Sequence, residues 1–341
     1  MRKNLGTLRS LTVQPKTKLR YQEGLRHFFD YLQSEELQLP SKRDAMDALV
    51  SDYLEHIWAA GEGRSLASNV LAGLQDQDPK LKGCLPGSWR LMKTWTTNEI
   101  PCRAPPLTEP VLKAMVGWAI FNQEFAFGLS LLVGFHVHAL LRSGELLALQ
   151  NWQIHMVSPG KPAVLNLGLT KSGKRQGAAE SVTLTDMAVL EWLWKWKLQA
   201  SKHQFLTAKP HIWRQMFARC LLELKLDQRG FRPYSLRRGG ATSLFVKLGS
   251  LDRVLLQDRW TALKTAKNYL NSGLAMIAEL EISPKLLRPF HSVFENYLRT
   301  LPTLEPALFK EQGRGTWKAD KSGKSWGLVV VFPFCPKIFG T

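Results

Sequence analysis

The sequence predicts a mainly α-helical protein of two domains: a small all-helical one, then a larger, mostly helical α+β one that carries a small β-hairpin. Three observations lead there. A chain of 341 residues, 45% hydrophobic and 22% charged, is long enough for two cored domains and too apolar for a disordered or fibrous chain. Apolar residues recur at helical spacing along most of its length, and strand-like runs are short. The stretch Ile100-Pro101-Cys102-Arg103-Ala104-Pro105-Pro106-Leu107 carries three prolines, which cannot continue a helix and favour an extended connection, so 100–107 is the expected linker.

The elements follow in order. After a basic lead over residues 1–15, Lys16 to Gln33 places Leu19, Leu25, Phe28, Phe29 and Leu32 at helical spacing and ends before Ser34 and Pro40. Helices expected near 44–60, 65–74 and 87–96 complete a first domain over 16–99. The second domain, 108–300, opens at Thr108-Glu109-Pro110, with proline early in a helix where its missing N–H costs little. A long apolar helix is expected over 123–141. Two β-rich runs, 163–169 and 181–184, flank the basic turn Thr170-Lys171-Ser172-Gly173-Lys174-Arg175-Gln176-Gly177, which reads as a hairpin with a positively charged tip. Thr185-Asp186 then caps a Trp-rich helix to about residue 200, and helices follow near 211–226, 235–248, 251–257, 262–280 and 286–300. The tail, 301–341, combines a glycine-bearing stretch with an isolated apolar run, Leu328 to Phe332, and is assigned no role.

Charge narrows the partner. The chain holds 46 Lys+Arg against 28 Asp+Glu, a net +18, and residues 1–100 account for only 14 and 12 of these. The basic surface therefore belongs to the second domain, and a polyanion, most simply nucleic acid, is what such a field attracts. Cys84, Cys102, Cys220 and Cys335 form no CxxC pair and have no nearby His at zinc-finger spacing, which excludes a disulfide framework and a structural zinc site. The start lacks a signal peptide's apolar stretch, and the longest apolar run, Phe125 to Leu141, is broken by His136 and His138 and falls short of the ~20 residues a bilayer span needs. The expectation is no membrane and an intracellular location: the nucleus in a eukaryote, otherwise cytoplasm or nucleoid. His136 and His138, two apart on a helix, face different sides and read as ordinary packing, not as metal ligands.

Three clusters could carry chemistry. Leu141-Arg142-Ser143-Gly144-Glu145-Leu146 puts an arginine at the end of an apolar helix, where an Arg142–Glu145 ion pair at a helix junction is the bland reading. In Tyr234-Ser235-Leu236-Arg237-Arg238-Gly239-Gly240, Ser235 can cap a helix, and Tyr234 and Arg237, three apart, can face one point; a surface cap with solvated arginines is the alternative. Arg259-Trp260 is followed by Tyr269 nine residues after the tryptophan, although Trp and Tyr on helices are usually core.

In this order the clusters resemble the catalytic domain of the tyrosine recombinase (phage integrase) family, and the helical domain and Pro-rich linker resemble its core-binding domain and connection. The resemblance covers about residues 16–285, most strongly 135–270. It implies a SAM-like core-binding domain followed by the DNA breaking-rejoining enzyme fold. It further implies that Arg142 and Arg237 clamp the nonbridging oxygens of a scissile phosphate, as planar guanidiniums can. Lys171, with Lys174 as runner-up, would protonate the departing 5′-oxygen, Trp260 would donate its indole N–H, and Tyr269 would be the nucleophile. Lys174, Arg175, Arg238 and Arg259 would contact DNA. The family's working unit is a homotetramer on two duplex DNA sites, with no metal and no small-molecule cofactor.

Two departures stand out. Tyr234 occupies a position where the family usually has His, and a phenol with an unperturbed pKa of ~10 is a poorer proton acceptor at neutral pH than an imidazole near ~6.5. Asp258 stands two residues before Trp260, where Gly is common. Slowed catalysis is the expectation. The rivals are a mobile-element-derived protein that keeps DNA affinity without cleavage and a type IB topoisomerase, which shares the nucleophile chemistry but acts as a monomer.

Overall fold

The computed structural model describes residues 7–99, 103–137, 141–168, 170, 179–199, 205, 209–257 and 272–303. Lys171, Lys174, Arg175, Asp258, Arg259, Trp260, Tyr269, His138 and the tail from 304 lie outside the described residues. The chain divides into two compact units, Met1–Arg103 and Ala104–Thr341.

The first unit is helical throughout its described residues: a single turn α1 (Leu8–Leu11), then α2 (Pro15–Ser34), α3 (Arg43–Ala59), α4 (Arg64–Gln77) and α5 (Pro86–Asn98). Leu25, Phe28 and Leu32 of α2, Val50, Tyr53, Leu54 and Ile57 of α3, and Val70, Leu71 and Leu74 of α4 recur at three- and four-residue steps and bury into one core. Helices α2 and α4 approach closely because Gly24 is small: a Cβ there would lie 3.2 Å from the Val70 nitrogen. The α5 N-cap, Leu85, offers no capping side chain. Asp47 of α3 caps it instead, accepting from the Gly87 and Ser88 N–H groups at 2.7 and 2.9 Å.

The second unit opens with α6 (Glu109–Phe121) and α7 (Phe125–His136), then a short α8 (Ser143–Leu147). A three-stranded antiparallel sheet follows, β1 (Ile154–His155), β2 (Ala163–Gly168) and β3 (Glu180–Leu184), in the order β1-β2-β3. Helices α9 (Met187–Gln199), α10 (Pro210–Glu223), α11 (Pro233–Leu248), α12 (Leu251–Gln257), α13 (Ser272–Leu280) and α14 (Pro284–Thr300) complete the described elements. In the hairpin, Ala163 pairs with Leu184 and Asn166 with Ser181, with an irregularity before Gly168 meets Glu180. Asp186 caps α9 by accepting from the Val189 N–H.

Two sequence expectations are corrected. The apolar helix expected from 123 begins at Phe125, because the chain reverses at Asn122–Glu124 with Gln123 at φ +61°. Ser235 does not start its helix: α11 begins at Pro233, and Ser235, in its first turn, accepts from the Arg232 N–H at 3.0 Å. The last part of the proline segment is also packed within the second unit. Pro106 and Leu107 are buried, the Leu107 N–H donates to the Ser235 carbonyl at 3.0 Å, and the segment lies along α11. Gly239 makes the docking possible, since a Cβ there would stand 1.9 Å from the Leu107 carbonyl oxygen. Likewise Gly117 of α6 lets the Phe290 carbonyl of α14 approach to where its Cβ would be, at 1.9 Å.

Candidate active site

Helix α11 supplies the first half of the site. Its N-terminal turn carries Tyr234 and Arg237, which fall on one side of the helix three residues apart. Tyr234 is 47% exposed, while Arg237 is only 6% exposed, so its guanidinium is held in the protein rather than swinging in water. The segment 104–107 backs this turn through the Leu107–Ser235 hydrogen bond.

The second half comes from the junction of α7 with α8. Arg142 is the residue before α8, and Glu145 three residues on fixes it twice, accepting the Arg142 backbone N–H at 2.9 Å and its guanidinium at 2.6 Å. The ion pair read from the sequence is therefore present, and its job is local: one carboxylate caps α8 and aims Arg142. The arginine side chain stays 41% exposed. Gly134 of α7 lies against Leu146 of α8, and a Cβ at Gly134 would be 3.2 Å from the Leu146 Cδ2.

These halves meet. Arg142, Tyr234 and Arg237, together with Gly134, Leu141, Ser143, Leu146, Trp213, Pro233 and Leu236, line one cleft. Trp213 forms its buried wall and is itself anchored, its indole N–H donating to the Ser130 hydroxyl at 2.7 Å. Two arginines and a phenol hydroxyl at one opening suit a tetrahedral anion such as a phosphodiester. The sequence did not reveal Trp213 as part of this site, and it offered the Arg142–Glu145 pair only as a helix-junction contact.

Arg238 departs from its expected DNA-contacting role. It is 3% exposed and its guanidinium donates to the Ala104 carbonyl, so it pins the 104–107 segment to α11. Adjacent helical residues point in different directions, and Arg237 takes the cleft side.

The tyrosines also sort themselves. Tyr297, the competitor to Tyr269 as nucleophile, is 6% exposed and packs between Phe125 and Trp192, with ring centroids at 5.6 and 4.8 Å. Burial pushes its phenol above the ordinary tyrosine range, which disfavours it as a nucleophile. Tyr53 is sealed in the core of the first unit, and burial raises its phenol too.

No protein-family model matches the chain, and no curated protein matches it in sequence. Solved structures do. A lambda integrase dimer bound to a COC′ core site is similar with a TM-score of 0.52 at 14% identity, covering 77% of this chain and 73% of that one. The Tn1549 transposon integrase in complex with transposon right end DNA gives 0.49 at 14% identity, over 79% and 94% of the two chains. The XerH site-specific recombinase bound to difH substrate gives 0.40 at 13%, over 70% and 78%. The fold is that of the tyrosine recombinases. No described helix is long and apolar enough to cross a membrane.

Proposed function

We propose that the chain is a tyrosine-type DNA recombinase or integrase that cuts and rejoins duplex DNA through a 3′-phosphotyrosyl intermediate. The observation that carries the proposal is the meeting of Arg142, Tyr234 and Arg237, from motifs far apart in sequence, at one cleft in a fold shared with lambda integrase. The Tyr269 hydroxyl loses its proton to solvent as its oxygen attacks the phosphorus in line, an O–P bond to the tyrosine forms, the bond to the 5′-oxygen breaks, and Lys171 gives that oxygen a proton and is reprotonated from solvent. One phosphoester replaces another, so bond energy is retained and a second strand's 5′-hydroxyl can reverse the step.

The side chains present need only position groups and neutralise phosphoryl charge, which is why arginines, a lysine and an indole N–H suffice without a metal or nucleotide. A guanidinium has five N–H donors, so Arg142 can keep Glu145 and still grip a phosphate. Tyr234 acts as a hydrogen-bond donor. Trp260 adds its indole N–H, and Lys174, Arg175 and Arg259 meet the backbone. The working unit is a homotetramer on two DNA sites.

The test starts from a footprint of DNA bound in cells, which supplies the site. On a nicked version of that site, whose 5′-hydroxyl fragment diffuses away after cleavage, the chain forms a covalent protein–DNA band. A site that is bound and never joined would establish the binding-only rival. Relaxation of plasmid by dilute monomer would establish the topoisomerase.

A further inference from the structure

The chain enters the second unit at Ala104 and at once runs along α11. Four attachments hold it there. The Leu107 N–H donates to the Ser235 carbonyl at 3.0 Å, and the Arg238 guanidinium donates to the Ala104 carbonyl. Gly239 leaves room for the Leu107 carbonyl oxygen, and at Gly230, just before the helix, a Cβ would touch the Pro105 Cδ at 3.7 Å. The contact is shielded from water, for Pro106, Leu107, Thr108 and Arg238 are all buried.

These attachments fall at residues 230, 235, 238 and 239, so they bracket Tyr234 and Arg237, the two groups that α11 brings to the cleft. This stretch of helix has reason to need outside support. It is an N-terminal end, whose first N–H groups have no partner within the helix, and it runs into two consecutive glycines, Gly239 and Gly240, each a poorer helix former than alanine. Arg237 is buried and its Nε is shut off from water. A guanidinium enclosed in this way keeps its direction only while the backbone beneath it stays in place.

Resting on the reading of that cleft as the phosphate site, we propose that Arg238 is a positioning residue for Arg237: its tie to Ala104 keeps the 104–107 segment on α11 as a splint, and the splint holds the turn from which Arg237 reaches a scissile phosphate. The role asks for no contact between Arg238 and DNA. An arginine suits it because a charge-assisted bond to a carbonyl is stronger than a neutral one, and burial keeps water from competing for it. The charge of Arg238 is a separable contribution, since a cation beside Arg237 also adds to the field at the phosphate.

The test uses the full chain and three substitutions. Arg238→Met keeps an unbranched side chain and loses both charge and tie, Arg238→Lys keeps the charge and a donor, and Pro105→Gly keeps every charge and loosens the segment from its other side. Pro105→Gly also stands alone should Arg238→Met not fold. Without DNA, exchange of the Arg237 Nε–H with water is followed by NMR. It should speed up about tenfold in Arg238→Met and in Pro105→Gly, less in Arg238→Lys, and no further when the first two are combined, because both cut the same tie. On the nicked DNA site, covalent joining should slow by about tenfold or more in the same order, while affinity, spread over many phosphate contacts, changes by less than about twofold. A parent chain that binds the site and never joins it would defeat the recombinase reading, and the exchange measurement would still decide the splint. Arg237 exchange that stays unchanged in both Arg238→Met and Pro105→Gly, or effects of the two that add, would overturn the proposal. Joining that is slow in Arg238→Met and normal in both Arg238→Lys and Pro105→Gly would mean that Arg238 acts through its charge alone, which refutes the splint.

Discussion

Replacing Gly239 with alanine sets two rules of thumb against each other. Gly239 lies inside α11, where exchanging glycine for alanine ordinarily gains about 0.5–1 kcal/mol of helix stability. Here the new methyl would stand 1.9 Å from the Leu107 carbonyl oxygen and within 2.9 Å of the Leu107 nitrogen, both backbone atoms that cannot swing aside. The structure has two ways out. Detaching the 104–107 segment gives up the Leu107–Ser235 hydrogen bond, about 1 kcal/mol, the Arg238–Ala104 bond, about 1.5–3, and Leu107's burial, about 1.5–3. Shifting the helix and segment apart while keeping the contacts costs about 1–3 kcal/mol, as overpacked cores do. The cheaper route wins; a 1.9 Å approach to backbone puts its cost at about 2–3 kcal/mol, and after about 1 kcal/mol of helix gain the net is a loss of about 1–2 kcal/mol. For a unit of this size that lowers the melting temperature by roughly 2–8 °C. Thermal unfolding of the full chain followed by calorimetry reads it, with Gly144→Ala as control, since nothing lies within 4 Å of a Cβ there. A Gly239→Ala protein as stable as its parent, or more so, would show that the segment does not dock on α11 as described.

Other outcomes follow from the same geometry. Tyr297→Phe removes a hydroxyl that has no hydrogen-bond partner among the described residues, so stability should hold or rise by up to ~1 kcal/mol in denaturant unfolding; a loss above that would mean the hydroxyl is bonded. Asp47→Ala strips the cap from α5 and should cost the first unit about 1–2 kcal/mol, read as faster amide exchange at Gly87 and Ser88. Lys171→Ala should block release of an ordinary 5′-oxygen and be rescued by a 5′-thiol leaving group, which needs no proton; if only Lys174→Ala behaves so, the acid is Lys174.

Much of the fold was legible because its signals are local. Leu25, Phe28 and Leu32, or Val50, Leu54 and Ile57, announce their helices by spacing alone, and Asp186 announces a cap. The two-residue β1 was not legible, since Ile154 and His155 are too few to show alternation. Arg142, Tyr234 and Arg237 were legible as motifs, and the Tyr-x-x-Arg spacing set Arg237 apart from Arg238, but that Arg238 is a buried tie depends on the path of the 104–107 segment, which no motif shows. Gly239 was read as part of a motif, and its physical work, admitting the Leu107 carbonyl, is a contact between residues remote in sequence.

The central claim is that Tyr269 becomes joined to DNA, and the direct measurement is adduct formation on the nicked site by the parent chain, Tyr269→Phe and Tyr297→Phe, with binding affinity measured alongside. The account predicts a covalent band for the parent and for Tyr297→Phe, with the nucleotide recovered on the peptide spanning residues 266–273, and for Tyr269→Phe equal binding with no band. A band that persists in Tyr269→Phe would contradict the assignment of the nucleophile.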